Sequence, residues 1–170
     1  MSYLKGLEGK FLPVFWSPVH FPRQAGTMGL LCNTQHAALR HFPTEMHSNW
    51  QWWSIVRHAR PFILNATRHE YKPLIQVVDN VERNHKLGLL FEFAVDNGKV
   101  LVCMSNLEAI RHTPEGGQLR NAILSYMKSA EFSPTETLTS QQLQHILTTE
   151  VKKQDIVGVK NQSDYDVQPE

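Results

Sequence analysis

The sequence predicts an α/β domain with a mixed sheet, containing an antiparallel hairpin and flanked by helices. Three observations carry this. Apolar runs of strand length recur at MGLLC (28–32), PLIQVVDN (73–80), LGLLFEFAV (87–95) and KVLVCM (99–104). Asp96-Asn97-Gly98 separates the last two, and Asn-Gly between apolar runs is the strongest short-range hairpin signal. In GQLRNAILSYMKSAEF, Leu119, Ile123, Tyr126 and Met127, with Ala122 and Ala130 beside them, trace one stripe of an amphipathic helix. The chain has 170 residues, 41% hydrophobic and 19% charged, which suits a single globular domain and is too apolar for a disordered chain.

In chain order, residues 1–27 form an arm rich in proline and aromatics. Pro13, Pro18 and Pro22 break helix and central strand, leaving Phe11, Phe15, Trp16 and Phe21 in need of cover. An α/β domain over 28–134 follows. It opens with a strand at 28–32 and a short helix at 36–42, which Pro43 ends. Ser48 with Gln51 fits a capping box, so a helix is expected over about 49–59, closed by Pro61. On that helix Trp50, Trp53 and Arg57 share one face by their i, i+3, i+7 spacing, and Trp52 and Val56 share another. Strands at 73–79, 87–95 and 99–104 come next, then a helix over 117–130 after Pro114 and Gly116-Gly117. Residues 135–170 read as a linker, a helix over 139–153 with Leu143, Ile146 and Leu147 on one face, and a frayed tail.

The charge balance excludes several classes. Seventeen Lys and Arg against sixteen Asp and Glu give a net charge of +1, without the basic excess that drives phosphate binding, so nucleic acid is not an expected partner. No run approaches the ~18 apolar residues of a membrane span. MSYLKGLEGKF lacks the basic start, apolar middle and small-residue cleavage site of a secretion signal, so the chain as written is expected to stay where it is made, in the cytoplasm.

Few residues carry a chemical signal. His36, His41 and His47 with Glu45 form the densest group of metal-ligand types, but their spacing straddles Pro43 and does not match a zinc site, so no metal or other cofactor is expected. Cys32 follows a strand-like run, yet Leu31, Asn33 and Thr34 are not the small neighbours that a nucleophile elbow requires; it reads, like Cys103, as a small buried hydrophobe. A glycosidase needs two carboxylates about 5–9.5 Å apart. Glu45, Glu70, Asp79, Glu82 and Glu92 are the candidates, and Glu92, alternating with Phe91 and Phe93, is expected to be half-buried. No catalytic residue is assigned.

HSNWQWW (47–53) holds three of the four tryptophans. A sugar platform needs an exposed indole with hydrogen-bonding neighbours, and His47, Asn49 and Gln51 supply those beside Trp50 and Trp53, with Trp16 added from the arm. Burial is the competing use. Each ring removes ~150–250 Å² from water, worth several kcal/mol at ~25 cal/mol per Å², so at least two of the three are expected inside.

AGTMGLLCNTQHAAL, FPTEMHSNWQWW, PLIQVVDNVERNHKLGLLFEFAV, GKVLVCMSNL and QLRNAILSYMKSAEFSP, in that order, resemble the carboxyl-terminal region of large bacterial family 2 glycoside hydrolases, the β-galactosidase-like proteins with a sugar-binding domain. The likeness runs from about Gly9 to Pro134. It implies part of an appended class I glutamine amidotransferase-like (flavodoxin-like) domain. The catalytic glutamates of that family lie upstream in a barrel that nothing here matches, so the resemblance implies a non-catalytic accessory or interaction domain. A carbohydrate-binding module using aromatics 15–53 and a small glycoside hydrolase using Glu92 or Asp79 with a histidine are the alternatives. Carbohydrate and an upstream glycoside hydrolase polypeptide are the implied partners, and the parent family is often periplasmic. If the chain is a detached piece, its arm and sheet edge have lost their cover, and self-association as a homodimer is expected.

Overall fold

The computed structural model describes residues 29–79 and 84–148. The arm of 1–27 with Trp16, residue 28 of the first expected strand, Glu82 and the tail beyond 148 lie outside the described residues. The rest is α/β with a six-stranded mixed sheet.

The strands are β1 (Gly29–Cys32), β2 (Phe62–Ile63), β3 (Ile75–Val78), β4 (Lys86–Val95), β5 (Gly98–Cys103) and β6 (Thr137–Leu138). The helices are α1 (Trp53–Arg57), α2 (Pro114–Lys128) and α3 (Ser140–Thr148). The ten-residue β4 is the organising strand. Gly88 pairs with both Phe62 and Gln76, Leu90 with both Ile75 and Cys103, and Ala94 with both Lys99 and Thr137. Hence β3 and β6 run along one edge of β4, and β2 and β5 along the other. Every pairing is antiparallel except β4 with β6, and β1 adds outside β3.

Between β3 and β6 that edge of β4 has a gap at Glu92, and the Tyr71 hydroxyl fills it. It donates to the Glu92 carbonyl at 2.9 Å and accepts from the Glu92 N–H at 3.2 Å. One side chain thus satisfies both backbone groups that a missing strand residue would have met.

From Leu90 to Phe93, beyond an irregularity in the pairing with β3, alternation along β4 divides two cores. Phe91 and Phe93 pack with Phe62, Leu64, Leu138 and Ile146 under α3, while Leu90 joins Ile75, Val77, Trp52, Ile55, Leu119, Ile123 and Tyr126 under α1 and α2. Met127, expected on the buried stripe of α2, is 41% exposed.

Several boundaries differ from expectation. The 36–42 stretch is a single 3₁₀ turn, Ala37–Leu39. The 49–59 stretch is a 3₁₀ turn at Trp50–Trp52 running into the short α1. Its cap is Asn49 and not Ser48: Asn49 is extended, and its Oδ1 accepts from the Gln51 N–H at 3.2 Å, leaving no capping box to form. The second long helix begins at Pro114, because proline fits a first helical turn whose N–H groups lack partners anyway, and Thr113 caps it through the Gly116 N–H. The hairpin has the two-residue loop Asp96-Asn97, and its left-handed residue is Asp96 at φ 48°, so Gly98 belongs to β5. Among the described residues no helix is long and apolar enough to cross a membrane.

Candidate functional site

The tight turn at Trp50 creates an aromatic surface. In a 3₁₀ turn residues i and i+3 eclipse, so Trp50 and Trp53 emerge on one side, with ring centroids 6.0 Å apart and planes inclined by 46°. Trp52 turns inward. It is fully buried, edge-on to Phe42 at 5.2 Å, and its Nε1–H donates to the Thr44 hydroxyl at 2.8 Å. Trp50 is 86% exposed and Trp53 half-buried, so only one of the three indoles is spent wholly on the core, against the two expected.

Polar groups ring this surface. Glu45 accepts from Asn49 Nδ2 at 3.4 Å and lies 3.6 Å from His47 Nε2. The Gln51 amide turns back to the Pro43 carbonyl at 3.1 Å and so braces the loop. The Arg57 guanidinium lies 5.7 Å from the Trp53 ring centroid, within cation–π range. Exposed Leu31 and Met46 lie alongside, where Leu31 bridges His47 and Cys32 donates to the Met46 carbonyl. Four of the six sequence candidates, His47, Asn49, Trp50 and Trp53, therefore lie along one largely exposed stretch. Gln51 serves the loop, and Trp16 lies outside the described residues.

Glu92 is a different kind of site. At 6% exposure it is more buried than expected. Tyr126 on α2 reaches both carboxylate oxygens, Oε1 at 3.1 Å and Oε2 at 2.9 Å. His36 Nδ1 accepts the Ala38 N–H, which leaves Nε2 to carry the hydrogen of a neutral ring, and Nε2 stands 3.6 Å from Oε1. Burial, then the hydrogen bond and charge of Glu92, raise the Tyr126 pKa well above the ordinary phenol range, so the hydroxyl stays a donor. Burial likewise raises that of Tyr71. The group closes α2, the 3₁₀ turn and β4 around one carboxylate, an arrangement suited to holding the fold. Glu136, the other buried glutamate among the described residues, is held by the Arg68 guanidinium, and Asp79 accepts the His85 N–H at 3.1 Å. Glu70 is exposed.

Tyr126→Phe tests this reading. It keeps the packing and removes the donor to a buried carboxylate, so a loss of about 1.5–3 kcal/mol is expected in urea denaturation. Adding Glu92→Leu should recover part of it, since no charge is then left unpaired. A neutral single variant would show that Glu92 is not held in this way.

Residues 1–148 match the family described as Domain of unknown function (DUF8487). The chain belongs to this family. No curated protein matches it. The matched span of this DUF8487 chain contains both the tryptophan surface and the Glu92 group.

Both thiols of the DUF8487 chain are free. Burial pushes Cys32 up to about 12, a bond to Thr44 opposing it, and pushes Cys103 up to about 11, so both remain protonated and weakly nucleophilic near neutral pH. The histidines of the candidate metal group go separate ways: His36 to Glu92, His47 to Glu45, while the His41 carbonyl accepts from Gln118. Among the described residues no cluster of three or more His, Cys, Asp or Glu is placed to hold a metal.

Arg57 is the residue absent from the sequence-derived site. Its spacing had placed it on the Trp50 and Trp53 face, so the signal was present. Tyr126 was assigned to the apolar stripe of its helix, and no periodicity could reveal that its hydroxyl reaches Glu92.

Proposed function

We propose that this chain is a non-catalytic accessory domain that holds carbohydrate against the Trp50–Trp53 surface, in association with a family 2 glycoside hydrolase. One observation supports the binding role: Trp50 leaves its indole 86% exposed, 6.0 Å from a second indole, where folding gains little from it. A sugar ring presents C–H groups that pack on an indole face and hydroxyls that pair with polar neighbours, here Asn49, His47 and Glu45. The association with glycoside hydrolysis rests on the sequence resemblance. A glutamine amidotransferase-like fold would add a parallel sheet with crossover helices; among the described residues only β4 with β6 pairs in parallel, so the proposal takes nothing from that likeness.

Calorimetric titration with galactosides and plant oligosaccharides tests the reading. Wild type is expected to bind at least one of them, and Trp50→Ala to weaken that binding by about tenfold, the worth of one aromatic contact. No heat across the whole panel, or equal binding by the variant, would remove it.

A further inference from the structure

We infer that the sugar held on this surface is acidic, with its carboxylate paired to Arg57; the inference rests on the carbohydrate reading above. Arg40, Arg68, Arg111 and Arg120 each face a carboxylate: Glu131, Glu136 and, for the last two, Glu108. Arg57 and Arg60 have no such partner among the described residues, and of the two it is Arg57 whose exposed side chain stands over an indole of this surface.

Two acids bonded to residues of this stretch are already engaged. Glu45 serves His47 and Asn49, and Glu115 accepts the Ser54 hydroxyl. The guanidinium also stands over the Trp53 ring, 5.7 Å from its centroid. A guanidinium over an aromatic face keeps N–H donors available to an anion. A carboxylate matches that fork with two parallel hydrogen bonds.

The spacing suits a sugar. Trp50, Trp53 and Arg57 follow one another along one face in steps of 6.0 and 5.7 Å. A pyranose stacked on Trp50 can therefore direct a carboxylate, its own or that of the next residue, past Trp53 toward Arg57. A uronate-containing oligosaccharide combines the apolar ring face and the anion that this row presents.

The test is calorimetric titration of the full chain with an oligogalacturonate and with the neutral galactan oligosaccharide of the same length. The acidic ligand is expected to bind about tenfold more tightly at low salt, as one charge-assisted pair predicts, and to lose that advantage as salt rises. Arg57→Gln should abolish the preference, bringing the acidic ligand to the affinity that the same variant has for the neutral one, with circular dichroism confirming that the exposed substitution preserves the fold. Equal affinities, or a preference that survives Arg57→Gln, overturn the inference while leaving carbohydrate binding intact. Silence from both ligands and from the wider panel overturns the two together.

Discussion

Trp52→Ala is expected to destabilise the protein by about 3–5 kcal/mol, while Trp50→Ala, two residues away, changes stability by no more than ~0.5 kcal/mol. The two substitutions remove the same atoms. Their surroundings differ: Trp52 is fully enclosed, edge-on to Phe42, with its Nε1–H bonded to Thr44, whereas Trp50 is 86% exposed. The alanine at 52 forfeits the burial of the indole, leaves a cavity beside Phe42, and strips the Thr44 hydroxyl of its donor. Against a typical net stability of ~5–15 kcal/mol, that loss is a large fraction of the whole. Urea unfolding followed by circular dichroism measures both variants. Similar losses at 50 and 52 would mean that the inward and outward indoles are wrongly assigned, and the proposed sugar surface would fall with them.

Gly116→Ala is the second large effect. A Cβ at Gly116 would stand 2.2 Å from the Ile110 carbonyl oxygen and 2.8 Å from Ile110 Cγ1. That carbonyl cannot simply move aside, because it accepts both the Thr113 N–H at 3.0 Å and the Thr113 hydroxyl at 2.9 Å, and the same hydroxyl caps α2 through the Gly116 N–H. Relief of the clash therefore disturbs the start of the longest helix and its packing on the sheet. A loss of about 3 kcal/mol or more is expected, at or beyond the upper end of ordinary overpacking. Gly98→Ala is the control: a Cβ there meets only the Val95 carbonyl at 3.5 Å, an ordinary contact, and stability should stay within ~0.5 kcal/mol. Equal melting temperatures for the two variants would refute the close approach at Gly116.

The secondary structure was legible wherever a segment was long enough to show a period. The four principal strands were found to within a few residues, and α2 appeared through its buried Leu119, Ala122, Ile123 and Tyr126. β2 and β6 were invisible, since two residues cannot express alternation; they exist because β4 offers unpaired edge groups to whatever passes. The cap at Asn49 was misplaced for a related reason. Ser48 and Asn49 are both good caps, and which one is used depends on where the backbone arrives from the 43–48 loop.

The aromatic surface was partly legible. The i, i+3, i+7 row of Trp50, Trp53 and Arg57 is a property of local geometry, and it survives the replacement of the first turn of a helix by a 3₁₀ turn, because residues three apart align in either. Local sequence thus determined which side chains stand together: the tryptophan row, the two phenylalanines opposite Glu92, the apolar stripe of α2. Only the tertiary structure decided which of those faces meets the sheet and which meets water, and brought Tyr71, Tyr126 and His36 to Glu92 from 21, 34 and 56 residues away. Periodicity fixes neighbours within a segment, whereas contact between segments follows from how the strands pair and how the helices seat on them, which no short window of sequence contains.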